Sequence, residues 1–375
     1  MSLIAYPPKL PHTDIDMDMF LQSGPDDPIR RFKRTLPAEW FPQSGIQLTW
    51  PHKDTDWAYM LQDITECYIR MAYEIATRER LIIVTPDVKS VQSLLNERLP
   101  RRATDNIVYM ECPTDDTWAR DHAFLTVVGS SGAELLDFRF NGWGGKFEAR
   151  QDNAINRHLY ESGLVKGQYV DLNDFELEGG SIESDGMGTI LTTTSCVLNE
   201  NRNNGDAIGI STRLTELLGA EQILWLRHGH LEGDDTDGHI DTLARFCPDN
   251  HIAYVKCEDH SDEHYEDLRL MEEELMAFRT LRGTPYQLVP LPMPDAIYDE
   301  EGQRLPATYA NFLIMNHAIL LPTYRQTEND ERAKKALQRL FPKYDVVGID
   351  AVPLIQQHGS IHCATMQYPK TVIPT

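Results

Sequence analysis

The segment that ends in Cys363 combines a thiol with a turn and a histidine, a combination that can make a nucleophile. Its sequence is GSIHC, residues 359–363. A cysteine attacks as the thiolate and therefore needs neighbours that favour ionisation. An isolated cysteine is more commonly a buried packing residue. Acids and histidines elsewhere in the chain must decide between these two interpretations.

Two acidic motifs lie in the first half of the chain. Trp118 and Asp121 belong to the sequence WARD, in which an aromatic ring and a carboxylate could hold a cation. A salt bridge of Arg120 would explain the same sequence without function. Glu178 opens the sequence EGGS, whose paired glycines allow close approach of another segment. An ordinary loop turn explains it equally well.

The densest motif is GDDTDGHID at 233–241, which contains His239 and Asp241. If a strand runs over residues 240–246, the two side chains share one face of it. A titratable base beside a carboxylate is what general acid–base chemistry requires. A calcium loop is excluded because Gly233 and Ala244 occupy positions that need acids. A zinc or iron site with His239 and Asp241 stays open, although no histidine-rich partner motif accompanies it.

These residues have one economical chemical interpretation. Each lies at or beside a predicted strand end, and strand ends arranged around an axis would converge at its centre. Carboxylates around a thiol would raise its pKa, so the arrangement favours a ligand that is itself a cation. A guanidinium stays protonated and offers five N–H donors in one plane, which two carboxylates can grip.

Composition limits the partners. The net charge of −23 and the pI near 4.9 make nucleic acid an improbable ligand and mildly favour cations. No run of eighteen apolar residues is present, so no membrane-spanning segment is predicted. The first residues resemble no secretory signal, and the six cysteines lack paired spacings. The sequence therefore predicts a reduced, cytoplasmic protein.

Periodicity places these motifs on an α/β chain. Residues 1–36 are predicted to be a polar N-terminal extension and residues 37–375 a single catalytic domain. Helices are predicted at 54–80, 90–99, 211–218, 263–279 and 329–340. Strands are predicted at 81–84, 107–110, 123–128, 135–140, 188–198, 222–226, 240–246, 252–256, 287–289, 312–315, 319–321 and 346–349. Hairpin, helix and strand recur three or more times, which indicates repeated ββαβ-like units.

Five motifs in order resemble the agmatine deiminase family, which also contains the bacterial-type peptidylarginine deiminases within the guanidine-modifying group. They are WARD (118–121), NGWGG (141–145), LEGGS (177–181), GHID (238–241) and GSIHC (359–363). The resemblance runs from about Pro37 to Cys363. It implies a pentein-like fold, a five-bladed α/β propeller with pseudo-fivefold symmetry.

The resemblance also implies roles for individual residues. Cys363 corresponds to the nucleophile and His239 to the general acid/base. Asp121 and Asp241 correspond to the acids that bind the guanidinium. Glu178 corresponds to the acid that contacts both the histidine and the substrate.

Trp118 corresponds to an aromatic residue beside the substrate chain. Two departures concern the far end of the substrate. His122-Ala123-Phe124 stands where agmatine-specific members have a small polar residue and Gly-Pro, and the loop 234–237 is more acidic than in many relatives.

The sequence thus predicts hydrolytic deimination through a thiouronium on Cys363, with no metal or organic cofactor. The expected substrate is a small cationic guanidine, agmatine, giving N-carbamoylputrescine for polyamine synthesis. The alternative is free or peptidyl arginine, giving citrulline, for which a Lys or Arg partner is expected. A metallohydrolase at His239, Asp241 and Glu178, and a binding protein with an inactive site, are further alternatives. The resemblance is compatible with a homodimer.

We interpret the following histidines and cysteines as packing residues. His358 and His362 are predicted to be loop and strand-packing residues. The other cysteines lie in apolar stretches and are predicted to be core: Cys67, Cys112, Cys196, Cys247 and Cys257.

Overall fold

Five separate β-sheets account for the strands in residues 34–374, the part of the chain that the computed structural model describes. Most of the extension predicted for residues 1–36 therefore lies outside the described residues, and the domain boundary at residue 36 stays a prediction. The first described residues, Arg34–Thr35, form strand β1 and pair with residues 128–129. The mixed α/β class is confirmed.

Every sheet repeats one pattern: its first strand is antiparallel to the second, and the second is parallel to the third. The first two triplets are β5 (Leu125–Gly129), β6 (Gly132–Arg139) and β7 (Gln168–Glu176), and then β8 (Ile182–Ser184), β9 (Thr189–Thr193) and β10 (Gln222–Leu226). The third and fourth are β11 (Ala244–Cys247), β12 (His251–Lys256) and β13 (Gln287–Pro292), and then β14 (Leu313–Met315), β15 (Ala318–Thr323) and β16 (Asp345–Asp350). The fifth combines β17 (Thr365–Pro369) with β2 (Gln43–Thr49) and β3 (Arg80–Thr85). Strand β4 (Ile107–Glu111) extends the last sheet beyond β3.

A helix connects the second and third strands in each triplet, because a parallel pair needs a crossover of this kind. In chain order these helices are Leu61–Ala76, Ile155–Glu161, Ala207–Leu218, Tyr265–Ala277 and Thr327–Leu340. The helix Val88–Arg98 joins β3 to β4. Shorter helical turns are Arg101–Thr104, Ala119–His122, Gly142–Gly145, Thr194–Val197 and Val352–Ile355.

Local sequence explains these elements. The helix Leu61–Ala76 buries residues at helical spacing, among them Ile64, Tyr68 and Met71. Residues 81–84 of strand β3 are apolar and buried, and the strand lies between two parallel neighbours. The β11–β12 hairpin turns through Asp249 and Asn250 at φ 59° and 58°, the left-handed conformation that these two residue types tolerate.

The last sheet joins two distant parts of the chain. Strand β17, Thr365–Pro369, pairs with β2, Gln43–Thr49, so that Thr365 faces Leu48. This pairing fixes the segment that carries Cys363 to strand β2, near the start of the described chain.

Three predicted elements are wrong in their extent. The predicted strand 240–246 begins only at Ala244, because Ile240–Thr242 forms a 3₁₀ turn in which the Thr242 hydroxyl donates to the His239 carbonyl at 2.8 Å. The predicted strand 188–198 stops at Thr193, where a helical turn follows. The predicted helix 54–80 is confined to Leu61–Ala76, after a 3₁₀ turn.

Within residues 34–374, no helix has the length and apolarity needed to cross a bilayer. The cytoplasmic location stays a prediction.

Candidate active site

Short segments that precede the first strand of each sheet meet at one place. Each carries a polar residue no more than four positions before its strand: Asp121, Glu178, Asp241, Asn311 and Cys363. The Gly180 amide donates to Asp121 Oδ1 at 2.9 Å, and Asn311 Oδ1 lies 3.3 Å from Cys363 Sγ. The five segments, each at the start of an equivalent strand, therefore contribute their polar residues to a single site.

Cys363 is held at the centre of this site with its sulfur buried. Its side chain and backbone are 5% exposed, and Sγ lies 3.9 Å from Asp241 Oδ2. Asn311 Oδ1 accepts hydrogen bonds from the amides of His362 and Cys363, at 3.0 and 3.2 Å. Burial, followed by the charges of Asp241 and Asp121, raises the pKa of the thiol well above its ordinary value. The sulfur is therefore protonated until positive charge enters the site.

Asp241 offers one free oxygen to that site. Its Oδ2 lies 2.7 Å from Nδ1 of His362, whereas its buried Oδ1 has no hydrogen-bond partner in the described part of the chain. Burial acts to raise the pKa of Asp241, but the hydrogen bond and charge of His362, with the charge of His239, hold it below the ordinary value. Asp241 is therefore an ionised carboxylate with unused acceptor capacity, which is costly unless a ligand cation compensates it.

Asp121 is held in a comparable way. Its Oδ2 accepts from Trp143 Nε1 at 3.0 Å and its Oδ1 from the Gly180 amide. Burial raises the pKa of Asp121; the charge of His239 opposes this shift, and the charge of Asp241 adds to it. An indole N–H thus positions Asp121 just as an imidazole nitrogen positions Asp241.

His239 is fully buried, with Nδ1 3.7 Å from Asp121 Oδ1. Burial alone would lower its pKa, but the charges of Asp121, Cys196 and Glu178 raise the pKa of His239 to about 10. Neither ring nitrogen makes a hydrogen bond of normal geometry within residues 34–374. The ring is accordingly an imidazolium that is free to give a proton to a ligand.

Glu178 lies next to His239 but is already paired. Its two oxygens accept from Arg202 Nε at 2.7 and 3.0 Å, and Arg202 also contacts Asp237 at 2.7 Å. The ligand atoms of Glu178, Cys196 and His239 lie within 4.8 Å of one another. Because Arg202 occupies the carboxylate, this group fits a metal ion poorly. Asp241 does not belong to it, so the metal set predicted from His239, Asp241 and Glu178 is not assembled.

Gly180 leaves room that a side chain would fill. A β-carbon there would lie 2.6 Å from His239 Nδ1, 2.9 Å from Asp121 Oδ1 and 3.1 Å from Asp241 Oδ2. The three groups assigned to acid–base chemistry and cation binding therefore surround one point.

A pocket of about 440 Å³, counting the part open to solvent, leads from the sulfur to the surface. Trp118 and Trp143 form its walls, and Trp118 donates from Nε1 to Asp116 Oδ2 at 3.1 Å. The remaining lining residues are Asp56, Asp116, Asp121, Phe147, Asp235, Thr236, Gln357, His358, Gly359 and Cys363. Four of the twelve lining residues are aspartates, and none of the described lining residues is a lysine or arginine.

The structure brings all six predicted site residues together: Trp118, Asp121, Glu178, His239, Asp241 and Cys363. It places His239 and Asp241 on a 3₁₀ turn rather than on a strand. The sequence missed Asn311, although it precedes a hairpin as the others do, and the repeated pattern could have found it. For His362, interpreted as packing, the structure shows hydrogen bonds to acids. The other five cysteines are buried, as predicted.

Comparisons with known proteins match about nine tenths of this chain to deiminases. The family model described as Porphyromonas-type peptidyl-arginine deiminase matches residues 35–369. A protein of Marinomonas sp. (strain MWYL1) named "Putative agmatine deiminase" is 32% identical over 358 residues, 89% of this chain and 94% of its own. The crystal structure of the "Putative Arginine Deiminase from Porphyromonas gingivalis" is 51% identical, covers 91% of this chain and 100% of its own, and has a TM-score of 0.86. A C. jejuni agmatine deiminase solved with substrate bound, as a cysteine-to-serine variant, is 38% identical, covers 90% and 97%, and has a TM-score of 0.83.

Proposed function

This chain belongs to the Porphyromonas-type peptidyl-arginine deiminase family and is a hydrolase acting on C–N bonds of linear amidines, and we propose that its substrate is agmatine. The products would be N-carbamoylputrescine and ammonia, which places the reaction in putrescine and polyamine synthesis.

One observation carries the proposal. Within residues 34–374, Asp241 Oδ1 is a buried carboxylate oxygen without a hydrogen-bond partner, beside a thiol whose ionisation a nearby cation would favour. A guanidinium held by Asp121 and Asp241 satisfies both conditions, because it supplies planar N–H donors and a permanent positive charge.

The reaction then follows from the positions of the side chains. When the guanidinium is bound, the Cys363 thiol releases its proton to solvent. The thiolate attacks the guanidinium carbon, and the His239 imidazolium protonates the departing nitrogen, which leaves as ammonia. Carbon remains bonded to sulfur as a thiouronium. Neutral His239 next removes a proton from water, and the hydroxide adds to the same carbon. Collapse expels the thiolate, which takes up the hydroxyl proton of the adduct as the ureido product leaves.

The outer part of the pocket supports agmatine as the substrate. Asp56, Asp116 and Asp235 line it, and Lys146, which is not a lining residue, is held by the Asp235 carbonyl and by Asp237. Free arginine would place its carboxylate among these acids, whereas the ammonium of agmatine would be attracted to them. Burial raises the pKa of Asp116 to about 7, so this attraction is expected to strengthen above that pH. His122, which departs from agmatine-specific relatives, contacts Thr49 and lies outside the lining.

We also infer that the five sheets stand around a pseudo-fivefold axis as the blades of a propeller. The repeated strand pattern and the meeting of the five strand starts support this arrangement. The homodimer stays a prediction.

A substrate panel tests the proposed function. Agmatine, free arginine and an arginyl peptide are incubated with the protein, and ammonia and ureido product are measured, with and without a metal chelator. We expect turnover of agmatine above the other two and no effect of the chelator. Cys363→Ser should bind agmatine and lose turnover. Loss of activity to the chelator would favour the metallohydrolase alternative, and turnover by Cys363→Ser would contradict the covalent mechanism.

A further inference from the structure

His362 stands one residue before the nucleophile and connects Asp241 to a buried group of charges. Its Nδ1 lies 2.7 Å from Asp241 Oδ2. Its Nε2 lies 2.7 Å from Glu39 Oε2 and 3.0 Å from Arg245 Nη2. Glu39, Arg245 and His362 are each no more than 8% exposed, so these contacts are shielded from bulk solvent.

The hydrogen bond to Asp241 has a defined direction. An ionised carboxylate can only accept, and the pKa of Asp241 lies below its ordinary value. Nδ1 of His362 must therefore carry a proton and donate it. With Oδ2 engaged in this way, the other oxygen of Asp241 is the one left for a ligand, and it is the atom without a partner.

The backbone of His362 is held on both sides. Asn311 accepts from the His362 amide through its side-chain oxygen at 3.0 Å, and Arg120 Nε donates to the His362 carbonyl at 3.3 Å. Beyond the ring, Arg245 Nη2 contacts Glu39 Oε2 at 2.5 Å and Arg245 Nε donates to Glu183. The guanidinium of Arg245 stacks on Phe312, 4.7 Å from the ring centre. Contacts at both ring nitrogens and at the backbone thus favour the orientation in which Nδ1 faces Asp241.

On the basis of the function proposed above, we propose that His362 is a positioning residue of the reaction: it orients Asp241 so that Oδ1 receives one N–H edge of the substrate guanidinium. His362 belongs to the same segment as Cys363. It therefore orients a carboxylate that binds the substrate cation, and this cation in turn favours ionisation of the Cys363 thiol.

Two amide substitutions separate this role from a structural one. His362→Asn retains a donor at the position of Nδ1, facing Asp241, and loses the contact with Glu39. His362→Gln retains a polar group at the position of Nε2, facing Glu39 and Arg245, and loses the donor to Asp241. Each variant keeps one of the two contacts, so a purely structural role predicts equal effects of the two substitutions.

Steady-state kinetics with agmatine give the first readout. We expect kcat of His362→Gln to fall on the order of 100-fold, since misplacement of a binding group by about 1 Å has such an effect. We expect kcat of His362→Asn to stay at least about tenfold above that of His362→Gln, although their thermal unfolding midpoints are similar. Equal kcat values for the two variants, or losses that follow the unfolding midpoints, would overturn the proposal.

A second readout needs no substrate. Chloroacetamidine, a planar cation, and chloroacetamide, its neutral analogue, alkylate the same thiol, and mass spectrometry gives both rates at Cys363. The cation preference of the wild type should persist in His362→Asn and decline at least about tenfold in His362→Gln. If the wild type prefers the cationic reagent but releases no ammonia from any guanidine, the proposed function is contradicted and the role of His362 is not. Equal preference in both variants would remove the role of His362.

If either variant fails to fold, the wild type decides the question. After assignment of the His362 ring through its backbone amide, ¹⁵N NMR is expected to show a proton on Nδ1 that is protected from exchange. A ring with an unprotonated Nδ1 would contradict the proposal.

Discussion

Gly180→Ala tests the geometry of the site with a single methyl group. The added carbon would lie 2.6 Å from His239 Nδ1 and 2.9 Å from Asp121 Oδ1, whereas ordinary contacts begin at 3.4 Å. His239 would have to retreat by about 0.8 Å and Asp121 by about 0.5 Å, the differences between these distances. Both are side-chain atoms, so the backbone need not move.

A displacement approaching 1 Å at the acid–base group is expected to lower kcat for agmatine by roughly 100-fold. Ammonia release gives kcat and KM, and thermal unfolding checks that the protein remains folded. Gly209→Ala is the control, because the same methyl group there meets only the side chain of Asp206, the exposed N-cap residue of the helix Ala207–Leu218. A Gly180→Ala protein with wild-type kcat, or a loss of the same size in Gly209→Ala, would refute the reasoning.

Two further changes test individual contacts. Trp143→Phe keeps the aromatic wall and deletes the N–H donor to Asp121; a hydrogen bond to a charged group contributes about 1.5–3 kcal/mol, so kcat/KM should fall about 10- to 150-fold. Wild-type kcat/KM in that variant would show that the indole N–H does not position Asp121. Glu79→Gln tests a buried carboxyl beside Asn316, where burial raises the pKa from 4.5 to about 8. Because the folded state then binds more protons than the unfolded state, the stability that Glu79 contributes is present below about pH 4.5 and is lost as pH rises to about 8. Denaturant unfolding at several pH values should show the wild type losing stability relative to Glu79→Gln over this range, and parallel curves would contradict the assignment.

The sequence predicted the parts of the fold and site that depend on local pattern. Cys363, His239 and Asp121 stand in motifs whose residue types suggest chemistry, and the hairpin–helix–strand repeat is visible in apolar spacing. The strand over 240–246 was wrong because alternation of side chains does not reveal that the Thr242 hydroxyl closes a turn on His239.

Other features were not predictable because they depend on contacts between distant segments. Glu39 and His362 are 323 positions apart, and no motif near either residue indicates that the two side chains are in contact. The same holds for the pairing of Arg202 with Glu178, which changes the role open to that acid. The strands of one unit, β17 and β2, come from opposite parts of the chain, so the local pattern alone could not show that they pair.

The pairing of β17 with β2 has a consequence for biosynthesis. Four of the five site segments are translated before Cys363. The edge of β2 that pairs with residues 365–369 has no partner strand until those residues are made. A nascent or prematurely terminated chain would therefore display a cluster of acids without a reactive sulfur and an open sheet edge available to other chains. Translation of residues 363–369 therefore supplies the nucleophile and the strand that covers the edge of β2 together.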